Sequence, residues 1–147
     1  MDDLNNQIVA LLQKDGRQSS KALAKQLYVS SATIRRRLRG LLSSGKIRII
    51  AAIEPSQFGY NLEAVVAFDV EHSELNSVTK KLAERPEIRW VATTAGRYDV
   101  MAFATLQSPA ELSELMQGEL TRIKGVKDTE TFICLTIKKG QYLTSSD

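Results

Sequence analysis

Apolar residues recur at helical spacing in the first 28 residues of the chain. The first set predicts a helix over residues 4–13, which Asp15 and Gly16 end. This set consists of Leu4, Ile8, Leu11 and Leu12. A second, shorter helix follows, with Ser19 or Ser20 as its N-cap, and a tight turn at residues 28–29 leads out of it.

A third helix is predicted after Ser30 or Ser31, its candidate N-caps, and ends at residues 43–45. At about 100° per residue its apolar positions lie within roughly 80° of one another, and three arginines point outward. The apolar positions are Ile34, Leu38, Leu41 and Leu42, and the outward arginines are Arg35, Arg36 and Arg39. Arg37 falls on the flank of the apolar stripe, where we expect a structural role. Two short helices and a tight turn predict a helix-turn-helix.

The next sixteen residues change from helical to extended patterning. Residues 46–53 are β-prone and predict either a wing or a strand that leaves the first domain. Residues 54–61 have the proline, glycine and polar content of a linker. We therefore expect a winged helix-turn-helix domain over residues 1–53, a linker over 54–61 and a second domain over 62–147.

The second domain alternates between extended and helical patterns. The order β-α-β-β-α-β is that of a ferredoxin-like domain, so the chain as a whole is predicted to be α+β. The extended segments are residues 62–71, 88–94, 99–106 and 127–138, and the helices are residues 74–84 and 109–120.

The predicted sheet is apolar on both faces. Val66 and Phe68, for example, alternate with Val65 and Ala67 along the first strand. Two helices cover only one face of such a sheet, and several hundred Å² of apolar surface would remain in water. The uncovered face therefore predicts a two-fold homodimer.

Charge is distributed unevenly between the two halves. Residues 1–53 hold ten basic and three acidic residues, a net charge of +7, whereas residues 54–147 hold ten basic and fourteen acidic residues, a net charge of −4. Such asymmetry indicates that the first domain meets a polyanion and the second does not.

Several classes of protein are disfavoured by the residues that the chain lacks. No apolar run approaches the 18 or so residues of a membrane span, and residues 1–15 lack a basic signal region, so we expect a cytoplasmic protein without a membrane partner. Cys134, expected to be a buried thiol, and His72 are single residues of their kind, which argues against a disulfide or a metal site. No catalytic set or phosphate-binding glycine loop is present, so neither an enzyme nor a cofactor is expected.

Four stretches of the chain resemble the Lrp/AsnC, or feast/famine, transcription regulators. They are IVALLQKDGRQSSKALAKQLYVSSATIRRRL, GKI, TTAGRYDVMAFATL and IKGVKDTETF, and they occur in the order and spacing of that family. The resemblance implies an N-terminal helix-turn-helix and a C-terminal ferredoxin-like domain of the RAM type that senses a small effector, usually an amino acid. It also implies dimers that assemble into octamers or similar discs, and binding to several operator half-sites in double-stranded DNA.

In the DNA-binding hypothesis the start of the third helix enters the major groove. The residues placed to contact base edges and phosphates there are Ser31, Ala32, Thr33, Arg35 and Arg36. The residues assigned to phosphates, which strengthen binding to any sequence, are Arg39, Lys46, Arg48, Arg17 and Lys21.

The segment TTAGRYDV, residues 93–100, has two interpretations. It forms a hairpin in which Gly96 supplies a positive φ and Asp99 bonds nearby backbone amides, or, as the resemblance implies, it also matches a Thr-x-Gly-x-x-Asp motif that lines an amino-acid pocket. Residues 128–131 match another edge of that pocket. The candidate effector-binding residues are Gly96, Arg97, Tyr98, Asp99, Thr129, Glu130 and Thr131.

Three functions therefore compete. The first is a sequence-specific transcription regulator that senses an amino acid or related metabolite. The second is an architectural protein of the nucleoid type that binds DNA without an effector. The third, an enzyme or small-molecule binding protein built on the second domain, lacks a candidate catalytic set.

Overall fold

The computed structural model describes residues 2–140 and the backbone of residues 143–144. The chain divides into two compact units, Met1–Ile50 and Ala51–Asp147. Residues 54–61, predicted as a linker, fall within the second of these units and contain a 3-10 turn, Pro55–Phe58.

The first unit consists of three helices, as predicted from the spacing of its apolar residues. They are α1 (Asp3–Lys14), α2 (Ser20–Leu27) and α3 (Ser31–Ser43). Each begins after a residue whose side chain accepts a hydrogen bond from a backbone N–H of the first turn. The caps and their donors are Asp2 with Asn5 at 3.0 Å, Ser19 with Ala22 at 3.1 Å, and Ser30 with Thr33 at 3.0 Å.

One buried residue or pair from each helix forms the core of this unit. The set is Ile8 of α1, Leu23 and Ala24 of α2, and Ile34 and Leu41 of α3. Leu42, predicted for the apolar side of α3, is instead 40% exposed. Because Leu42 is about 100° further round the helix than Leu41, it lies at the edge of the buried stripe.

The second unit follows the predicted order of elements. In chain order these are β1 (Ala52–Ile53), β2 (Leu62–Val70), α4 (Leu75–Ala83), β3 (Ile88–Thr93), β4 (Val100–Leu106), α5 (Pro109–Leu115), β5 (Val126–Ile133) and β6 (Leu143–Thr144). A π-helical turn, Met116–Leu120, continues α5. The strands β2 to β5 form one antiparallel sheet in the order β3-β4-β2-β5. The α+β fold with a ferredoxin-like second unit is thus confirmed.

The two central strands bury one side of the sheet beneath the helices. Phe68 of β2 lies opposite Val100 of β4, and Val66 lies opposite Ala102. Val78 of α4 belongs to the same fully buried cluster. The other members of that cluster include Leu62, Ala64, Val70, Leu82, Ile88, Ala104, Leu106, Leu112, Leu115 and Leu120.

The other side of the sheet, here called the open face, carries an apolar row across all four strands. Trp90 of β3 lies opposite Phe103 of β4, Phe103 opposite Val65 of β2, and Val65 opposite Phe132 of β5. Trp90 is 50% exposed and Phe132 is 45% exposed. Large apolar side chains therefore remain in solvent where the helices do not reach.

Two predicted extended segments are shorter than expected. Only Ala52–Ile53 of residues 46–53 forms a strand, and it pairs with Leu143–Thr144, so the described part of the first unit contains no β wing. The strand predicted over residues 127–138 ends at Ile133, after which Cys134 N–H still donates to Glu63 O at 2.8 Å. Beyond that bond only Leu62 of β2 remains as a possible partner, so most of residues 134–138 have no strand beside them in this sheet.

Gly125, which precedes β5, packs closely against Glu74, and a substitution can test this contact. Its φ is +96°, and a Cβ on it would overlap Cβ of Glu74 and lie 2.8 Å from Cγ of that residue. We expect Gly125→Ala to lower the free energy of unfolding by more than about 2 kcal/mol, because both the backbone and Glu74 would have to move. The measurement is urea denaturation followed by circular dichroism.

Gly59→Ala is the matched control. Gly59 also has a positive φ, +84°, but no atom lies within 4 Å of the added Cβ. Gly59→Ala should lower the free energy of unfolding only by the cost of placing a Cβ in the left-handed region, about 1 kcal/mol. Equal losses in the two variants would contradict the close approach of Gly125 to Glu74.

Candidate nucleic-acid interface and effector loop

The first turn of α3 combines capping with exposed side chains. The hydroxyl groups of Ser30 and Thr33 are 2.9 Å apart and share a hydrogen bond, and Nη1 of Arg35 lies 3.4 Å from the hydroxyl of Ser31. Ala32 is exposed, whereas Ser31 and Thr33 are partly buried. Ala32 and the arginines are therefore the most accessible of the predicted base-contacting residues.

The four arginines of α3 separate into two groups, as the helical positions predict. Arg35, Arg36 and Arg39 are exposed. Arg37 instead forms an ion pair with Asp2, the N-cap of α1, and its side chain is 33% exposed. The pKa of Asp2 lies below its usual value because the carboxylate accepts the N–H of Asn5 and pairs with Arg37. Arg37 thus connects α3 to the start of α1.

The other predicted phosphate contacts, Arg17, Lys21, Lys46 and Arg48, are all exposed. Nε of Arg17 donates to Asp15 at 3.2 Å. The backbone N–H of Arg17 also donates to the Asp15 carboxylate, at 3.0 Å, and it is this bond first, and then the side-chain contact, that lowers the pKa of Asp15. Because the pair is exposed, it is weak enough to open when a polyanion approaches.

Residues 16–50 contain nine basic residues and no acidic residue. This stretch covers both α2 and α3. It includes Lys25, which lies one turn after Lys21 on α2 and is exposed. Sequence reasoning missed Lys25, although its i, i+4 spacing from Lys21 was sufficient to place both lysines on one side of the helix.

The second candidate site is the loop between β3 and β4, residues 94–99. Its Asp99 carboxylate accepts the backbone N–H of Val70 at 2.9 Å, and the Asp99 N–H donates to Phe68 O at 3.0 Å. Thr94 adds two bonds within the loop, from its N–H to Asp99 O at 2.9 Å and from its hydroxyl to Tyr98 O at 2.6 Å. Asp99 therefore bonds a backbone amide, as expected, but one that belongs to β2.

Tyr98 connects this loop to β5. Its hydroxyl donates to the Glu130 carboxylate across the intervening strand, and the guanidinium of Arg97 lies 5.2 Å from the centre of its ring. The bond to Glu130 raises the pKa of Tyr98 above its usual value. Gly96 is exposed with a φ of +150°.

The structure brings only part of the predicted effector set together. Tyr98 and Glu130 are in contact, but Thr129 and Thr131 alternate with Glu130 and point to the helical side of the sheet. Thr131, for example, lies 3.7 Å from the sulfur of Met116. The side chains of the two threonines therefore lie on the opposite side of the sheet from that of Glu130.

Three further expectations concern features outside these sites. Within residues 2–140, no group of three or more His, Cys, Asp or Glu side chains is placed to hold a metal ion. Cys134 is only partly buried, and its pKa is raised chiefly by burial. In that same range, no helix combines the length and apolar character that crossing a membrane requires.

Comparison with known proteins agrees with both halves of this description. The chain matches the AsnC-type helix-turn-helix domain over residues 1–42 and the Lrp/AsnC ligand binding domain over residues 63–143. An HTH-type transcriptional regulator of Pyrococcus furiosus is 38% identical over 143 residues, which is 97% of each chain.

Solved structures show the same fold over almost the whole chain. AsnC of E. coli has a TM-score of 0.87 and 25% identity, with 95% of each chain covered. A transcriptional regulator of Neisseria meningitidis, in complex with L-Met, has a TM-score of 0.86 and 22% identity, with 95% of this chain and 93% of that chain covered. These proteins are transcription regulators and not enzymes, which excludes the catalytic interpretation of the second unit. The chain belongs to the Lrp/AsnC family of HTH-type transcriptional regulators.

Proposed function

We propose that this regulator binds particular double-stranded DNA sequences through α3 and responds to an amino acid or related metabolite through its second unit. The observation that carries the DNA-binding part is the combination of three exposed arginines on α3 with an acid-free stretch over residues 16–50. A polyanion is attracted to such a surface, and arginine can donate two hydrogen bonds to guanine.

The contacts of α3 suggest which of its residues meet base edges and which residues of the unit bind phosphates. Arg35, Arg36 and the methyl of Ala32 are exposed on its first two turns and are proposed to meet base edges. The hydroxyl of Thr33 is bonded to Ser30, so its methyl is the group left for a thymine. The residues proposed for phosphates are Arg39, Lys46, Arg48, Arg17 and Lys21, and Ser31 remains at the edge of the groove.

The open face is proposed to be the homodimer interface. It presents Trp90 and Phe132 half exposed on either side of Phe103 and Val65, which is the apolar, aromatic composition of an interface core. A two-fold axis would place the same row on itself. Such dimers would be the units of the octamers or similar assemblies that the family resemblance implies.

The loop at residues 94–99 is proposed as the effector site. Free backbone amides near Gly96 would hold an α-carboxylate, and Glu130, released from Tyr98, would accept the ammonium group. Asp99 is less suited to that role because Val70 already occupies one of its oxygens. The ligand-binding description of the family model and the L-Met complex of the Neisseria meningitidis relative support an amino acid as the class of effector.

An architectural protein that binds any duplex shares the same basic surface. The two functions differ in the ratio of affinities for a duplex selected from a random pool and for an unselected duplex at physiological salt. A ratio above about 10³ is expected of a regulator, whereas a ratio near unity would favour the architectural function.

Replacement of Arg36 tests the proposed base contact. Arg36→Ala should weaken binding to the selected duplex by about 1–3 kcal/mol and change binding to an unselected duplex much less. Fluorescence anisotropy with both duplexes measures this. Arg37→Ala removes the same charge from the same helix but breaks the pair with Asp2, so it should lower stability and spare the discrimination. Equal loss on both duplexes for Arg36→Ala would assign that side chain to a phosphate.

The dimer interface is tested by placing a charge on the open face. Phe132→Lys should convert the dimer to monomer in sedimentation-velocity experiments, because each protomer would bury a lysine in an apolar interface without a counter-charge. Phe58→Lys is the matched control, since Phe58 is 61% exposed and lies in a 3-10 turn. A Phe132→Lys variant that sediments like the wild type would contradict the proposed interface.

The effector site is tested by ligand-dependent thermal stability. At least one of the twenty amino acids should raise the melting temperature in proportion to the logarithm of its concentration, as a ligand of the native state does. Gly96→Val should abolish that shift, because a β-branched residue strains a φ of +150°. A panel in which no amino acid changes the melting temperature would refute an amino-acid effector.

A further inference from the structure

Thr105 of β4 is the sole polar residue among the buried residues of the described chain. Only 1% of its surface is exposed, and its backbone N–H donates to Glu87 O at 2.9 Å. Its side-chain hydroxyl is buried as well, but it has no hydrogen-bond partner among the described residues. Because buried hydroxyl groups are nearly always hydrogen-bonded, this one indicates a group that the separate chain does not satisfy.

Glu63 lies directly opposite Thr105 and has the same deficiency. The two residues are register partners on β2 and β4, and each follows or precedes core residues of its strand, which places both side chains on the open face. Oε1 of Glu63 is buried without a hydrogen-bond partner in the part of the chain that the structure describes. Two unsatisfied polar groups therefore lie side by side at one end of the apolar row of the open face.

No cation among the described residues is paired with Glu63. Burial raises the pKa of its carboxyl above the ordinary value, and the charge of Glu54 raises it further. Arg89, the basic residue of β3, lies instead over the ring of Tyr60, with its guanidinium carbon 5.6 Å from the ring centre. The side chain of Glu63 is thus an acid without a counter-charge.

The other titratable groups around Glu63 do not supply that counter-charge. A cavity of about 210 Å³ beside it is lined by two further acidic or neutral titratable side chains and by Glu54, and the two are Tyr60 and Cys134. Near Thr105, the Glu87 carboxylate is paired with Arg85 at 3.4 Å. An ionised Glu63 therefore depends on water for its stabilisation.

A second copy of the chain on the open face would remove that water. Glu63 is two residues from Val65 on the same strand, so it lies about 7 Å from the apolar row that the proposed dimer covers. A carboxylate without a counter-charge is strongly unfavourable in an apolar interface, whereas a neutral carboxyl has an O–H to donate. Directly opposed residues have Cβ atoms about 5 Å apart, so the Thr105 hydroxyl is within reach of that O–H.

We propose that Glu63 enters the homodimer as a neutral carboxylic acid that donates a hydrogen bond to the Thr105 hydroxyl of its own chain, so that association takes up as many as two protons. This inference rests on the homodimer interface proposed above and makes its strength depend on pH. The hydroxyl could equally donate to a carboxylate, so the apolar cover, and not the hydrogen bond, determines the charge of Glu63. Association is then favoured below the pKa that Glu63 has in the dimer and weakens as the pH rises through it.

The single tryptophan of the sequence provides the measurement. Trp90 is half exposed on the open face, so its emission should shift to shorter wavelength when a second copy covers it. Dilution series of the full chain at about pH 5 and at about pH 8 give the dissociation constant on either side of the expected transition. We expect this constant to be at least about tenfold larger at the higher pH, since a rise of about half a unit in each of two pKa values has that effect.

Glu63→Gln should have the same dissociation constant at both pH values, close to that of the wild type at the lower one. The amide is neutral and keeps the shape and a donor of the protonated acid. Asp69→Asn is the matched control, because Asp69 lies on the same strand and the same face but its carboxylate pairs with Lys127 at 3.3 Å. That variant should keep the wild-type difference between the two pH values. An equal pH dependence in Glu63→Gln and the wild type would overturn the proposal.

Thr105→Val tests the hydrogen bond itself. It removes the hydroxyl and keeps the shape, so it should weaken the dimer about tenfold at the lower pH, where the neutral acid loses its acceptor. An unchanged dissociation constant would overturn the bond to Thr105.

The wild type separates failure of this inference from failure of the proposed interface. If neither the Trp90 emission nor the urea midpoint depends on protein concentration at either pH, the homodimer itself is wrong. If a dimer forms with one dissociation constant at both pH values, only the proton uptake is wrong. For a dimer too tight to dissociate by dilution, the free energy of urea unfolding to separate chains gives the same comparison between the wild type and Glu63→Gln.

Discussion

The second unit depends on the two-sided pairing of β2. This strand hydrogen-bonds to β4 on one side and β5 on the other, and its register determines which side chains lie under the helices. Because neighbouring residues alternate between faces, the pairing that buries Phe68 also leaves Val65 on the open face. The N–H of Val70, at the C-terminal end of the same strand, donates to the Asp99 carboxylate, so the pairing of β2 also determines where the loop at residues 94–99 lies.

Much of this architecture was predictable from local patterns. Helix caps such as Ser30 and the apolar spacing of Ile34 and Leu41 act within one or two turns, and these predictions were right. Residues 46–53 were predicted less well because β-prone residues form a strand only where a partner strand lies beside them. Pairing over long distances, here between Ala52–Ile53 and Leu143–Thr144, leaves no signal in either segment alone.

The sequence predicted the side-chain positions of the candidate DNA-binding residues better than those of the candidate effector-binding residues. The outward arginines of α3 follow from helical geometry, whereas the orientation of Thr129 and Thr131 depends on the register of β5. That register shifts at Asp69 and Val70, an irregularity that composition does not reveal. The left-handed backbone of Tyr28 was likewise hidden, because a turn was predictable at that point but its φ was not.

The bond between Tyr98 and Glu130 has a consequence for the effector site proposed above. Each group already satisfies the other, so a ligand that engages Glu130 exchanges one hydrogen bond for another and gains only the difference. In the proposed site such an exchange would limit the affinity, so occupancy would fall when the effector concentration falls. A carboxylate without a partner at this position would bind the same effector more tightly and would already be occupied at lower concentrations.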